Sequence, residues 1–96
     1  MKTIRDIEKL LGITRRSLQE YDKIGLLHPS ARNQYGHILY DDEAIKKLML
    51  IKIFVECGYK RKEIISFFEK SDEEKADEYK KLIRILRDKR KRIAPA

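Results

Sequence analysis

The chain has 96 residues, and 23 basic residues against 16 acidic ones give it a net charge of +7. That length suits one small domain with an appended helix, and the chain has no run of about 18 apolar residues that could span a membrane. Charges at Arg5, Asp6, Glu8 and Lys9 interrupt any signal-peptide pattern. A single cysteine, Cys57, excludes an internal disulfide, so we expect a cytoplasmic protein in a reducing compartment.

A cap, an apolar face and a glycine predict the first helix. Thr3 can cap it, with Asp6 at the third helical position, and Gly12 can end it in the left-handed conformation. The apolar face has helical spacing and consists of Ile4, Ile7, Leu10 and Leu11.

A second helix is predicted immediately after a short turn. Thr14 can cap this helix, and Gly25 ends it before the chain leaves through Pro29. Its inner face consists of Leu18, Tyr21 and Ile24. Two helices joined by so short a turn are typical of a helix-turn-helix, whose second helix enters the major groove of DNA.

The outer face of the second helix carries residue types that read bases. Arg15 and Arg16 lie in its first turn, where arginine can fork onto guanine, and Gln19 one turn later could pair with adenine. The alternative is a solvated helix surface, although cations at a helix N-terminus oppose the helix dipole. Tyr21 could either pack in the core or donate its hydroxyl to a phosphate.

Residues 27–40 are predicted to form a small β-hairpin, or wing, with its tip near Asn33 to Gly36. A third helix follows, capped by Asp41 or Asp42 and ended by Gly58. Its broad apolar face predicts the central core helix and consists of Ile45, Leu48, Met49, Ile51, Phe54 and Val55. A basic turn at 59–62 leads to a fourth helix, whose apolar residues are Ile64, Ile65, Phe67 and Phe68.

The fifth predicted helix begins at a capping box of Ser71 and Glu74. Residues 80–92 hold eight basic residues and one acid, so the whole net charge lies in this stretch and the rest of the chain is neutral. The stretch could contact nucleic acid, but a solvated outer face of a dimer helix is the interpretation that we favour. This helix also carries an apolar heptad seam, about two and a half repeats long, which needs a partner surface. The seam consists of Ala76, Tyr79, Ile83, Leu86, Arg90 and Ile93.

The order of these motifs resembles the N-terminal domain of the MerR family of bacterial transcription regulators. The family's recognition-helix pattern and its exit are matched by Thr14, Leu18, Tyr21, Asp22, Ile24, Gly25, Leu26, Leu27 and Pro29. The wing and the later helices are matched by Gly36, Tyr40, Ile45, Leu48, Ile51, Gly58, Glu63 and Ile64. The resemblance runs from about Thr3 to Phe68, and the fifth helix stands where the family keeps its antiparallel dimerisation helix.

The resemblance implies a mainly α-helical fold: a winged helix-turn-helix at 1–70, a coiled-coil-like dimerisation helix at 71–93 and a tail at 94–96. It implies a homodimer that binds a pseudo-palindromic promoter in double-stranded DNA, distorts that DNA and so assists RNA polymerase. The residue types and the resemblance together predict a set of DNA-binding residues. These are Thr14, Arg15, Arg16, Ser17, Gln19, Tyr21, Arg32, His37, Tyr40, Lys60, Arg61 and Lys62. The predicted dimerisation residues are Ala76, Tyr79, Ile83, Leu86 and Ile93.

Two departures from the family pattern bear on DNA binding. The arginine and aromatic residue that follow the recognition-helix leucine are Gln19 and Glu20 here, and the wing arginine is Ile38, preceded by His37. An acid near phosphates repels them by about 1 kcal/mol at surface dielectric. Arg32 could take over the role of the missing wing arginine.

The sequence contains no catalytic or cofactor motif. One cysteine and two distant histidines offer no metal-binding constellation, and no Ser/His/Asp set or phosphate-binding glycine loop occurs. We therefore expect neither an enzyme nor a cofactor. Two other functions stay open: an excisionase-like architectural DNA binder, and a winged-helix interaction module that has lost DNA binding.

Overall fold

The computed structural model describes the backbone of residues 1–93 and the side chains through Lys89. Its helices are α1 (Ile4–Leu11), α2 (Arg15–Lys23), α3 (Asp42–Glu56), α4 (Arg61–Phe68) and α5 (Asp72–Ile93). Its strands are β1 (Lys2–Thr3), β2 (Ala31–Arg32) and β3 (Ile38–Tyr40). The expected mainly helical fold with a small β wing is confirmed. The predicted tail at 94–96 lies outside the described residues.

The chain divides into two units, Met1–Ile53 and a second that begins at Phe54, so the boundary falls inside α3. In the first unit the buried side chains come from both helices of the helix-turn-helix, from the wing and from α3. The most deeply buried of them are Ile7, Leu18, Tyr40, Leu48 and Ile51. The proposed division into a domain at 1–70 and a dimerisation helix at 71–93 stays a prediction.

Aromatic side chains form the centre of the second unit. The ring centroid of Phe54 lies 4.8 Å from those of Tyr59 and Phe67, and the ring of Phe67 meets Tyr79 edge-on at 5.4 Å. Such tilted arrangements are the favoured geometry of aromatic pairs. Leu82 of α5 is buried in the same unit.

The helix starts follow the caps that the sequence predicts. Thr3 and Asp6 exchange both bonds of a capping box, and Ser71 and Glu74 do the same at α5. Of the two candidates at α3, Asp41 is the cap, because its Oδ1 accepts the Ala44 N–H at 2.8 Å.

The sheet was predicted only in part. The sequence predicts a helix cap at Thr3 and no strand before it, but β1 pairs with β3, and the strand order is β1-β3-β2. Two residues are too short for a strand to show a period of alternation, so the sequence gives no sign of β1.

Several apolar residues assigned to inner faces are exposed instead. Leu10 is 59% exposed, and Ile24, Met49 and Val55 also lie at the surface. Leu10 stands one position before the buried Leu11, about 100° around the helix, and eight residues cover only a narrow stripe. The predicted faces were therefore too wide.

We expect Gly12→Ala to destabilise the first unit by about 1–2 kcal/mol, because Gly12 has φ +70° and a Cβ is costly in the left-handed conformation. A Cβ there would meet only the Lys52 Nζ at 3.9 Å, so crowding is not the cause. Urea unfolding measures the change, and Gly12→Asn should cost less because Asn tolerates this conformation. Equal stability of Gly12→Ala and the wild type would contradict the explanation.

Candidate nucleic-acid interface

The start of α2 is held by polar contacts that leave its outer face open. The Thr14 Oγ1 accepts the Ser17 N–H at 3.2 Å, and the Thr14 hydroxyl donates to Ser17 Oγ at 3.1 Å. The Arg15 N–H donates to the Oε1 of Glu8 on α1 at 3.0 Å. Thr14 and Ser17 thus build the helix start, and the Glu8 contact fixes α2 against α1.

Three predicted base-reading side chains project from this helix into solvent. Arg15, Arg16 and Gln19 are all exposed, and the first turn of α2 contains no acid. Within the described part of the chain, no carboxylate pairs with either guanidinium. Because cations at a helix N-terminus oppose the dipole, this surface favours an external anion.

The wing tip is organised by one side chain. The Asn33 Oδ1 accepts the N–H groups of Tyr35 and His37 at 2.9 and 3.0 Å, and Gly36 adopts φ +76° in the same turn. His37 is exposed, and its Nδ1 lies 3.4 Å from the Asn33 Nδ2. The tip is therefore a defined turn that presents His37 outward.

Arg32 stands directly opposite Ile38 in the antiparallel pairing of β2 with β3. Opposite residues of an antiparallel pair project from the same face of the sheet. Arg32 is exposed, so a guanidinium lies one strand away from the position where the resemblance places a wing arginine.

A cleft of about 550 Å³ in the first unit brings several predicted residues together. Arg15 of α2 and Arg32 and His37 of the wing line it, together with Arg5 of α1. Sequence reasoning missed Arg5, because a lone arginine in the first turn of a helix carries no recognisable pattern.

The structure places Tyr21 and Tyr40 in the core rather than on the outer surface. Their exposed fractions are 7% and 1%. Burial raises the pKa of the Tyr40 hydroxyl above its usual value, and the charge of Asp22 acts in the same direction. Burial favours the packing interpretation of Tyr21, and neither tyrosine belongs to the exposed surface.

The second unit carries the basic turn. Lys60, Arg61 and Lys62 are exposed, and α4 begins at Arg61, so two of them lie in its first turn. The Lys60 N–H donates to the Glu63 Oε1 at 3.0 Å. Cations beside a helix N-terminus suit a phosphate.

A polar cluster that sequence reasoning also missed joins this turn to α5. The Glu78 carboxylate accepts a hydrogen bond from the Lys70 ammonium at 2.8 Å, and the Tyr59 hydroxyl lies 3.5 Å from the same carboxylate. The bond from Lys70 lowers the pKa of Glu78 and raises that of Lys70. Burial raises the pKa of Tyr59, and the Glu78 charge adds to this effect. The partners lie 8 and 19 residues apart along the chain, so spacing alone could not pair them.

One face of α5 is apolar and exposed. Tyr79, Ile83 and Leu86 are 41%, 48% and 40% exposed, and Ala76 is exposed with them. Leu82, on a different face, is buried. The last two residues of the predicted seam, Arg90 and Ile93, lie outside the residues whose side chains are described.

Among the described residues, no three histidine, cysteine, aspartate or glutamate side chains are grouped so that they could hold a metal ion. None of the helices in this part of the chain is long and apolar enough to cross a membrane.

The capped second helix, the wing with its β2–β3 hairpin and the following helices define the winged helix-turn-helix class of transcriptional regulators. The family model "MerR HTH family regulatory protein" matches residues 2–71. The chain therefore belongs to the MerR family of transcriptional regulators, as its sequence indicates. This is a family of regulators and not of enzymes, as expected.

Individual relatives agree with the family. The chain is 36% identical over 61 residues to the HTH-type transcriptional activator mta of Bacillus subtilis, matching 64% of this chain and 24% of that protein. It is 33% identical over 67 residues to the transcriptional activator TipA of Streptomyces coelicolor, matching 70% of this chain and 26% of that protein. The match thus spans about a quarter of these relatives.

Two solved structures share the fold. MtaN, the N-terminus of the Bacillus subtilis multidrug transporter activator, has a TM-score of 0.75 at 28% identity, over 97% of this chain and 88% of that one. HiNmlR, a MerR family regulator lacking the sensor domain and bound to promoter DNA, has a TM-score of 0.80 at 23% identity, over 96% and 74%.

Glu78→Gln should lower stability at neutral pH, because it removes the charge that holds Lys70. Since the pKa of Glu78 is lowered on folding, its contribution is present above the usual value of 4.5 and is lost as the pH falls through the folded value. The raised pKa of Lys70 means that the pair is also lost at strongly alkaline pH. Urea unfolding of both proteins at several pH values measures this difference.

The difference should be largest at neutral pH and should vanish in acid. Glu73→Gln is the matched control, because Glu73 is an exposed acid in the first turn of the same helix. A Glu78→Gln deficit that persists unchanged at low pH would point to packing rather than to charge.

Proposed function

We propose that this chain binds promoter DNA sequence-specifically as a homodimer, with α2 of each copy in a major groove. The observation that carries the proposal is the open face of α2, where unpaired guanidinium groups of Arg15 and Arg16 stand beside the exposed Gln19. Arginine and glutamine are residue types that read guanine and adenine edges.

The relatives support this function. Both mta and TipA are transcriptional activators, and HiNmlR is bound to promoter DNA in a structure of the same fold. Family members distort their promoters so that RNA polymerase can engage them, and we extend that mechanism to this chain.

The wing is proposed to contact flanking phosphates through Arg32 and His37. The departure at Ile38 removes an arginine from β3, but Arg32 projects from the same face of the sheet one strand away. If Arg32 on β2 replaces an arginine at position 38 on β3, a cation stays near the same phosphate of the DNA backbone.

The basic turn Lys60–Lys62 is proposed as a second phosphate contact. All three of its side chains are exposed, and two of them lie in the first turn of α4, where the positive end of the helix dipole favours an anion. Such contacts fix the register of a protein on DNA without reading its sequence.

A second copy of the chain is the proposed partner of the apolar face of α5. Ala76, Tyr79, Ile83 and Leu86 recur at heptad spacing and are exposed in the single chain. An apolar seam of this kind is stable in water when a second helix covers it.

The charges of α5 favour an antiparallel partner. Acids crowd the start of the helix at Asp72, Glu73, Glu74, Asp77 and Glu78, and bases dominate from Lys80 onward. In a parallel pair like charges would face each other, whereas an antiparallel pair sets acids against bases. Antiparallel pairing also fits a DNA site with twofold symmetry.

Selection from random duplex DNA should enrich an inverted repeat. Its half-sites should lie about 34–36 Å apart or a multiple of this distance, since two recognition helices lie on one face of the duplex. Arg16→Ala should then cost about 1–3 kcal/mol at one base position and relax specificity there. Competition binding with single-base variants of the selected site measures this effect.

The same selection separates the alternatives. An architectural binder would bend DNA without activating transcription from a promoter. Absence of both an enriched repeat and a salt-dependent affinity would contradict DNA binding and favour an interaction module.

Ile83→Asp should convert the dimer to a monomer, because it places a charge in the seam. We expect the dissociation constant to rise on the order of 100-fold, which corresponds to about 3 kcal/mol for an unpaired buried charge. Sedimentation equilibrium measures the mass. Arg84→Gln changes the charge of α5 by the same amount at an exposed position outside the seam and should leave the dimer intact. A monomeric wild type would refute the proposed assembly.

A further inference from the structure

The cleft in the first unit collects cations from three different elements. Arg5 comes from α1, Arg15 from α2 and Arg32 from the wing, and His37 lines the same space. Its volume, about 550 Å³, is within the usual range of ligand-binding clefts.

Strand pairing explains why α1 reaches the wing. Thr3 of β1 pairs with Leu39 of β3, and Arg32 of β2 pairs with Ile38. Thr3 also caps α1, so the helix starts where the sheet ends and Arg5 follows within its first turn. Neighbouring strands lie about 4.8 Å apart, which brings the first turn of α1 close to the wing.

The guanidinium groups around the cleft have no acceptor within the described residues. No carboxylate pairs with Arg5, Arg15 or Arg32. Three like charges gathered in one cleft repel each other, and an anion placed among them would remove that repulsion. Arginine forks match the oxygens of a phosphate in particular.

We propose that a backbone phosphate of the bound DNA occupies this cleft and that Arg5 is one of its contacts. The proposal rests on the DNA binding proposed above. It makes α1 part of the interface together with the recognition helix and the wing.

This assignment also divides the two arginines of the recognition helix. Arg15 lines the cleft, whereas Arg16 does not. Arg15 is therefore a phosphate contact that contributes equally to the affinity for every DNA sequence. Arg16 is the arginine of this helix that contacts the bases.

The test measures affinity against salt concentration for the selected DNA site and for a random duplex. Each phosphate contact contributes about 0.9 to the slope of log K against log salt. Arg5→Ala should reduce the slope by about 0.9 and the affinity about fivefold at 0.15 M salt, equally for both duplexes. Arg15→Ala should behave in the same way, and Arg5→Lys should largely retain the slope.

Lys46→Ala is the control, because it removes one exposed positive charge from α3 that already pairs with Glu43. It should leave the slope unchanged. A second measurement replaces single phosphates of the DNA by uncharged methylphosphonates. At one position this replacement should weaken binding of the wild-type protein. The same replacement should not further weaken DNA binding by the Arg5→Ala variant.

Each other outcome overturns the proposal. If the wild type shows the expected slope and Arg5→Ala keeps it, DNA binding stands and the role of Arg5 falls. If inorganic phosphate without DNA stabilises the wild type but not Arg5→Ala, and the slope is unchanged, the cleft takes a free anion instead. A wild type without salt-dependent binding removes both proposals.

Discussion

The pairing of Thr3 with Leu39 is the constraint on which the first unit depends. The same threonine lies in strand β1, which pairs with the wing strand β3, and it caps α1, so one residue links the wing to the first helix. The Glu8 carboxylate on α1 then accepts the first N–H of α2. One chain of contacts thus runs from the wing through α1 to the recognition helix, and it orients two surfaces that are far apart in sequence.

The arginines of the first unit lie where their charges oppose local stability. The guanidinium groups at the start of α2 face a helix dipole that they oppose, and the arginine-lined cleft gathers like charges. By contrast, the partly buried side chains of Lys70 and Glu78 pair at 2.8 Å within the second unit and link the segment after α4 to α5. Guanidinium groups left without a carboxylate partner at the start of α2 and around the cleft are the arrangement expected of a protein whose anionic partner is external.

The sequence determined the elements with strong local signals. The Thr3, Thr14 and Ser71 caps and the wing tip at Asn33 were predicted because each depends on residues within a few positions of one another. Family membership also followed from the order of such motifs along the chain. The outward position of Arg15, Arg16 and Gln19 followed from helical periodicity once the inner face was set.

Only the tertiary structure decided what depends on residues distant in sequence. In the folded chain β1 pairs with β3, and Tyr40 lies in the core. The buried face of α1 is narrower than the predicted one, so Leu10 is exposed. The tertiary structure also brought Arg5 to Arg32 in one cleft and Tyr59 and Lys70 to Glu78. Caps and periodicity are set by the backbone within one or two turns, whereas these contacts form only when the whole unit packs, so a local pattern cannot encode them.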